Sequence, residues 1–186
     1  LAAAGQLFVS VASGGTLNQV GAGMPIAGQP TLTPVNGLPP NNFRGIAFAT
    51  LNPASTSADT LYIAVNDLGV IQKYVLSGAT WVLKGAVALA SVHGLAAMPT
   101  GDGHAVLFAT DGGGALFRLF DTSGVQGVLS GTPEQLLAPN TKESFLGVAV
   151  APDAHAPAGL PLTPTTLAVS KATANSATLQ WAAGGS

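Results

Sequence analysis

The sequence predicts an all-β fold built from repeated four-stranded antiparallel units, and three observations lead there. Charged residues make up only 8% of the 186-residue chain against 47% hydrophobic ones, whereas disorder needs low hydrophobicity and high charge. Twenty-four glycines and 13 prolines interrupt most windows long enough for three helical turns. The third observation is a motif: an aromatic residue or valine, a variable residue, glycine, then alternating large and small apolar residues. It occurs as Phe43-Arg44-Gly45-Ile46-Ala47-Phe48, as Val92-His93-Gly94-Leu95-Ala96-Ala97 and as Phe145-Leu146-Gly147-Val148-Ala149-Val150.

Each motif glycine begins a series of short β-branched or aromatic runs bounded by Gly, Asn, Asp, Ser or Pro, the signature of strands. Ahead of the first motif, Gln6–Val11, Gly15–Val20 and Thr31–Val35 form a set that lacks its own first strand. After Gly45 come Leu61–Val65, Gly69–Leu76 and Thr80–Val87; after Gly94 come Ala105–Thr110, Gly114–Asp121 and Glu134–Ala138. The stretch Thr132–Ala138 also suits a single helical turn. Ser77-Gly78 and Asp111-Gly112 predict hairpin turns, since glycine accepts positive φ without a Cβ clash. The third motif, Phe145–Val150, has no set after it.

Four antiparallel strands recurring at roughly fifty residues describe a blade of a β-propeller. About three blades are expected over residues 1–152, as a partial or open ring, because closed rings use four to eight. In such a ring the motif glycine lets innermost strands approach closely near the central channel. Open blade edges must be covered. A protein partner, or other copies completing the propeller, is therefore expected at the Gly5–Val35 side or at the Phe145 strand.

Gln6–Val11, Asn18–Pro30, Asp59–Gly85, Asp121–Pro139 and Phe145–Pro152 resemble, in consistent order, the C-terminal half of an uncharacterised bacterial secreted β-propeller family. Members commonly carry an immunoglobulin-like or fibronectin type III module. Pro161–Ser170 followed by Asn175–Trp181 resembles the first two strands of a fibronectin type III domain, whose second strand ends in a buried Trp. The implied organisation is propeller blades over 1–152, a small-residue linker over 153–160 and an incomplete fibronectin type III-like module over 161–186. The resemblance implies a secreted, periplasmic or cell-surface location within a larger multi-module protein. It carries no activity onto any residue.

Six basic and eight acidic residues, scattered to a net charge of −2, cannot supply the basic patch that nucleic-acid binding requires. No cysteine is present, so neither disulfides nor thiolate metal sites form. The apolar stretches are broken by Gly, Pro, Ser and Asn, so no membrane span is expected.

Three histidines, His93, His104 and His155, lack the short spacing of zinc ligands, and no metal or cofactor is expected. Asp67, Asp102, Asp111 and Asp121 each stand beside a turn residue, which predicts turn capping rather than calcium ligation. Neither a nucleophile elbow nor a phosphate loop occurs, and no catalytic residue is assigned. Trp81 and Trp181 are expected to fill cores, with sugar stacking by Trp81, Tyr62 and Tyr74 as the alternative.

The variable residue of the motif remains: Arg44, His93 and Leu146 occupy equivalent places. Arg44 and His93 are the expected ligand-binding residues at the channel. The leading expectation is a non-enzymatic extracellular binding or scaffold module, with carbohydrate among its partners. The alternative is a propeller enzyme acting on an anionic or carbohydrate substrate at the channel mouth.

Overall fold

The computed structural model describes residues 5–11, 15–140 and 144–150, together with the backbone of three further strands, Ala2–Ala3, Thr166–Thr173 and Ser176–Ala182. Among the described residues there is no helix. Two compact units divide the chain at 150 and 151.

The first unit holds three four-stranded antiparallel sheets, each a meander in chain order. Strands β1 (Ala2–Ala3), β2 (Gln6–Val11), β3 (Thr16–Val20) and β4 (Leu32–Pro34) form the first. In the second are β5 (Phe43–Ala49), β6 (Thr60–Val65), β7 (Val70–Ser77) and β8 (Thr80–Ala88). The third comprises β9 (Val92–Pro99), β10 (Ala105–Asp111), β11 (Leu116–Asp121) and β12 (Glu134–Leu137). Two expectations change. The first set does have a strand at its leading edge, the two-residue β1, which pairs with Gln6 and Leu7. Glu134–Leu137 pairs with β11 as a strand rather than forming a helical turn.

The sheets stack through the second one. In β6 every residue is buried, and successive side chains point to opposite faces of a strand. Leu61, Ile63 and Val65 accordingly enter one apolar cluster with Leu17, Phe43, Tyr74 and Trp81. Tyr62 and Ala64 enter another with Ile71, Leu95, Leu107 and Leu119. Burial on both faces explains why Leu61–Val65 reads as a continuous apolar run instead of an alternating one. Phe48 ties the first cluster across sheets, 4.6 Å from Phe8 and 5.8 Å from Trp81 between ring centroids.

One backbone stitch recurs three times. The glycine of each turn before a third strand accepts a hydrogen bond from the chain near the next motif: Asn41 N to Gly15 O at 2.8 Å and Leu89 N to Gly69 O at 2.9 Å from just ahead of it, and Phe145 N to Gly114 O at 3.0 Å from its first residue. All three glycines have φ between 60° and 83°, where a side chain would strain the backbone. Strand β8 is joined to its neighbours likewise, by Trp81 N to Asn36 O, just past β4, at 3.0 Å and by Leu129 N, in the connection between β11 and β12, to Lys84 O at 2.9 Å.

In the second unit, β13 (Thr166–Thr173) and β14 (Ser176–Ala182) form an antiparallel pair with Leu167 opposite Trp181. The expected linker at 153–160, with His155, lies outside the described residues.

Candidate functional site

The motif's peculiar order, variable residue then glycine, has a geometric cause. Along β5, Phe43 pairs with Val65 and Gly45 with Ala64, so Arg44 is an extra residue and the ladder shifts at it. Along β9, Val92 pairs with Asp111 and Leu95 with Ala109, so His93 and Gly94 together face Thr110 alone. Each is a β-bulge, which releases one residue from ladder pairing and re-aims its side chain. In β9 the bulge is held by Gly94 N donating to Thr110 Oγ1 at 2.9 Å.

Both bulges turn the variable residue toward one place. Arg44, His93 and Leu146 line a single cleft of about 400 Å³ together with the three motif glycines. Glycine makes this proximity feasible. A Cβ on Gly45 would stand 2.7 Å from the backbone of His93 and Leu95, and one on Gly94 would stand 2.9 Å from the Gly147 Cα. The close approach expected of the motif glycines therefore holds at 45 and 94. At Gly147 a Cβ would meet nothing within 4 Å, and residues 144–150 belong to no ladder, so the strand expected there is not formed.

A second cleft, of about 620 Å³, continues along the same three segments and is lined largely by apolar residues such as Ile46, Phe48, Leu95 and Val150. Among the described residues no carboxylate lines either cleft. The side chains of Arg44, exposed, and His93, half-buried, make no hydrogen bond or ion pair among the described residues. An unengaged guanidinium offers a planar fork of donors to a carboxylate, sulfate or phosphate. The imidazole adds a donor and acceptor beside it.

The remaining candidates have structural work. Asp102 sits on the hairpin tip between β9 and β10. A hydrogen bond from Thr100, then others from His104, hold its carboxyl below the ordinary carboxylate range. Asp111 accepts Ala115 N at 2.8 Å, and Asp67 accepts the Asn42 amide at 3.0 Å. Trp81, Tyr62 and Tyr74 are buried, as core residues should be. Among the described residues no group of three His, Cys, Asp or Glu could hold a metal ion. No helix there is long and apolar enough to cross a membrane.

Sequence reasoning missed the most polar part of the interior. Lys73 on β7 and Asp121 on β11, both without solvent exposure, form an ion pair at 2.8 Å between sheets. Lys73 Nζ also donates to Ser123 Oγ at 2.9 Å and Gly124 O at 2.5 Å. Asp121 accepts the Tyr62 hydroxyl at 2.5 Å and both Ser123 N and Oγ. Burial alone would raise the Asp121 pKa, but the bonds from Lys73, Ser123 and Tyr62 outweigh it and hold the carboxyl below its ordinary range. Burial, reinforced by Asp121, drives the Tyr62 phenol far above its usual value. The available signal was a lone lysine inside the apolar run Val70–Leu76. Its partner lies about fifty residues on, beyond any local rule.

No protein-family model matches the chain, and no curated protein matches it.

Proposed function

We propose that the first unit is a β-propeller segment whose three sheets are blades, and that it serves as a non-enzymatic binding or scaffold module of a larger secreted or periplasmic bacterial protein. Support for the blade arrangement comes from the recurrent glycine stitch and from the side-by-side approach of β5, β9 and residues 144–150. The paired bulges that bring Arg44 and His93 into one cleft carry the binding reading. Groups with displaced pKa values mark candidate catalytic sites, and Tyr62, Tyr74, Asp102 and Asp121 line neither cleft. A cleft with one exposed guanidinium, an imidazole and apolar walls suits capture of an anionic, hydroxyl-rich group such as an acidic polysaccharide. The tail resembling a fibronectin type III module fits a multi-module extracellular architecture.

Binding of polygalacturonate and of a neutral glucan to the full chain tests this by calorimetry. The acidic polymer is expected to bind, and Arg44→Ala to weaken it at least tenfold, about 1.4 kcal/mol. His93→Ala should give a smaller loss. Unchanged affinity in Arg44→Ala would remove the cleft from consideration.

A further inference from the structure

Between the first two sheets lies a pocket of about 240 Å³ whose counterpart between the second and third sheets is taken up by the Lys73–Asp121 pair. We propose that this pocket binds one neutral pyranose ring, as a free sugar or as the end of a sugar chain.

The repeat shows how the pocket arises. Counted from the turn glycines Gly15 and Gly69, Gln19 falls where Lys73 falls, and each stands opposite an aromatic residue in its ladder, Phe8 and Tyr62. Counted likewise from Gly69 and Gly114, Leu76, Gly78 and Ala79 stand where Asp121, Ser123 and Gly124 stand. In the second gap the Lys73 ammonium and the Tyr62 hydroxyl meet those three residues. In the first gap the same groups are missing: Phe8 has no hydroxyl, Leu76 no carboxylate and Gly78 no side chain. Gln19, shorter than a lysine, turns back into its own sheet, where Nε2 donates to Gln6 Oε1 at 2.8 Å and to Gly21 O at 2.9 Å. The space left over is the pocket, with Phe8, Gln19 and Ala79 in its lining.

The same replacements set the charge of the ligand. No charged side chain lines the pocket, so an ion entering it would lose its hydration without gaining a counterion. Neutral hydrogen-bonding capacity remains. Gln19 Nε2 has spent both hydrogens, which leaves Oε1 as an acceptor, and Trp81 adds an indole N–H donor. The Asn36 amide and the Thr33 hydroxyl both donate and accept. Among the described residues none of these four groups has a partner. Donors and acceptors mixed in this way match hydroxyl groups, which also do both.

The rest of the wall is aromatic. Phe48 lies 4.6 Å from Phe8 and 5.8 Å from Trp81 between ring centroids, and such rings bury the C–H face of a sugar while the polar groups take its hydroxyls. The bond from Trp81 N to Asn36 O joins the two sheets at the pocket, so the site is formed before a ligand arrives. Its volume of about 240 Å³ is several times the roughly 30 Å³ of a water and below the roughly 300–1,000 Å³ of drug-sized sites, which suits one ring. A long glucan offers such an end once per chain. The pocket shares no residue with the cleft at Arg44 and His93, and its occupancy is independent of what that cleft binds.

Nuclear magnetic resonance of the full ¹⁵N-labelled chain tests the proposal, with glucose, galactose, mannose and N-acetylglucosamine as probes. The Trp81 indole N–H peak, told from that of Trp181 by its loss in Trp81→Phe, is expected to shift saturably with at least one of them. One ring of ordinary ligand efficiency gives a Kd on the order of 1 mM. Asn36 is exposed and its side chain bonds to nothing among the described residues, so Asn36→Ala should keep its circular dichroism and weaken the sugar about three- to tenfold, the worth of neutral hydrogen bonds. A peak unmoved by all four sugars would show that the pocket holds only solvent and would overturn the proposal. Equal or tighter binding of galacturonate or glucosamine would overturn the neutral class, and unchanged affinity in Asn36→Ala would overturn the site.

Discussion

Lys73 is a cation without access to water, and its whole coordination comes from β11 and the turn after it. Removing one member of a buried pair leaves the other uncompensated, at a cost of about 3–5 kcal/mol. Lys73→Met is expected to lower the unfolding free energy by that amount, read as a fall in the urea midpoint at an unchanged denaturant slope. The double variant Lys73→Met, Asp121→Leu should cost less than the two single changes summed, because neither charge is then stranded. Acid should act through the same carboxyl. Its folded pKa lies below the unfolded value of about 3.9, so its contribution is complete above roughly pH 4 and is lost as pH falls through the lower folded value. The urea midpoint of the native chain should therefore drop on acidification below about pH 4, and Asp121→Asn should flatten that part of the profile. The lysine's oddity was visible in the sequence, but its partner was not, since pairing across sheets depends on how the sheets stack.

Most strand boundaries were legible to within two residues, because Gly, Pro and Asx residues mark their ends and apolar runs fill their middles. Gln6–Val11 illustrates this, whereas Phe145–Val150 reads as a strand and joins no ladder. The bulges at Arg44 and His93 were not legible, since a ladder shift is a property of two strands together. Gly45→Ala would push a Cβ to 2.7 Å from the Leu95 amide nitrogen. Overpacking of this kind costs about 1–3 kcal/mol, and a lower urea midpoint at unchanged denaturant slope is expected. Gly114 bears on the last motif instead: its φ is 83° and a Cβ there would overlap Ser144. Gly114→Ala should break the bond to Phe145, speeding hydrogen exchange at the Phe145 amide at least tenfold while the β10 amides stay protected. Equal acceleration throughout would show that the turn stabilises the whole sheet rather than that segment.

The described residues of the first unit form two apolar clusters, and β6 belongs to both, with alternate side chains in each. Neither cluster can dissolve without the other losing a wall. A chain ending at Val150 is expected to unfold in one cooperative transition, with Trp81 fluorescence and far-ultraviolet dichroism giving coincident curves. Leu61→Ala should shift both curves together, lowering the unfolding free energy by about 2–5 kcal/mol, the usual cost of a truncated core leucine. Separated transitions would show that the sheets fold independently.

By itself the sequence determined an all-β chain with strands in a fixed order and a fifty-residue repeat, because strand tendency and turn formation are local and glycine marks where backbones must approach. It also singled out Arg44 and His93 as the variable places in that repeat. Only the tertiary structure decided that two bulges turn both residues into one cleft, that Lys73 meets Asp121, and that the third motif lies beside β9 without a ladder of its own. Those outcomes depend on register and stacking between segments tens of residues apart, which no local pattern encodes.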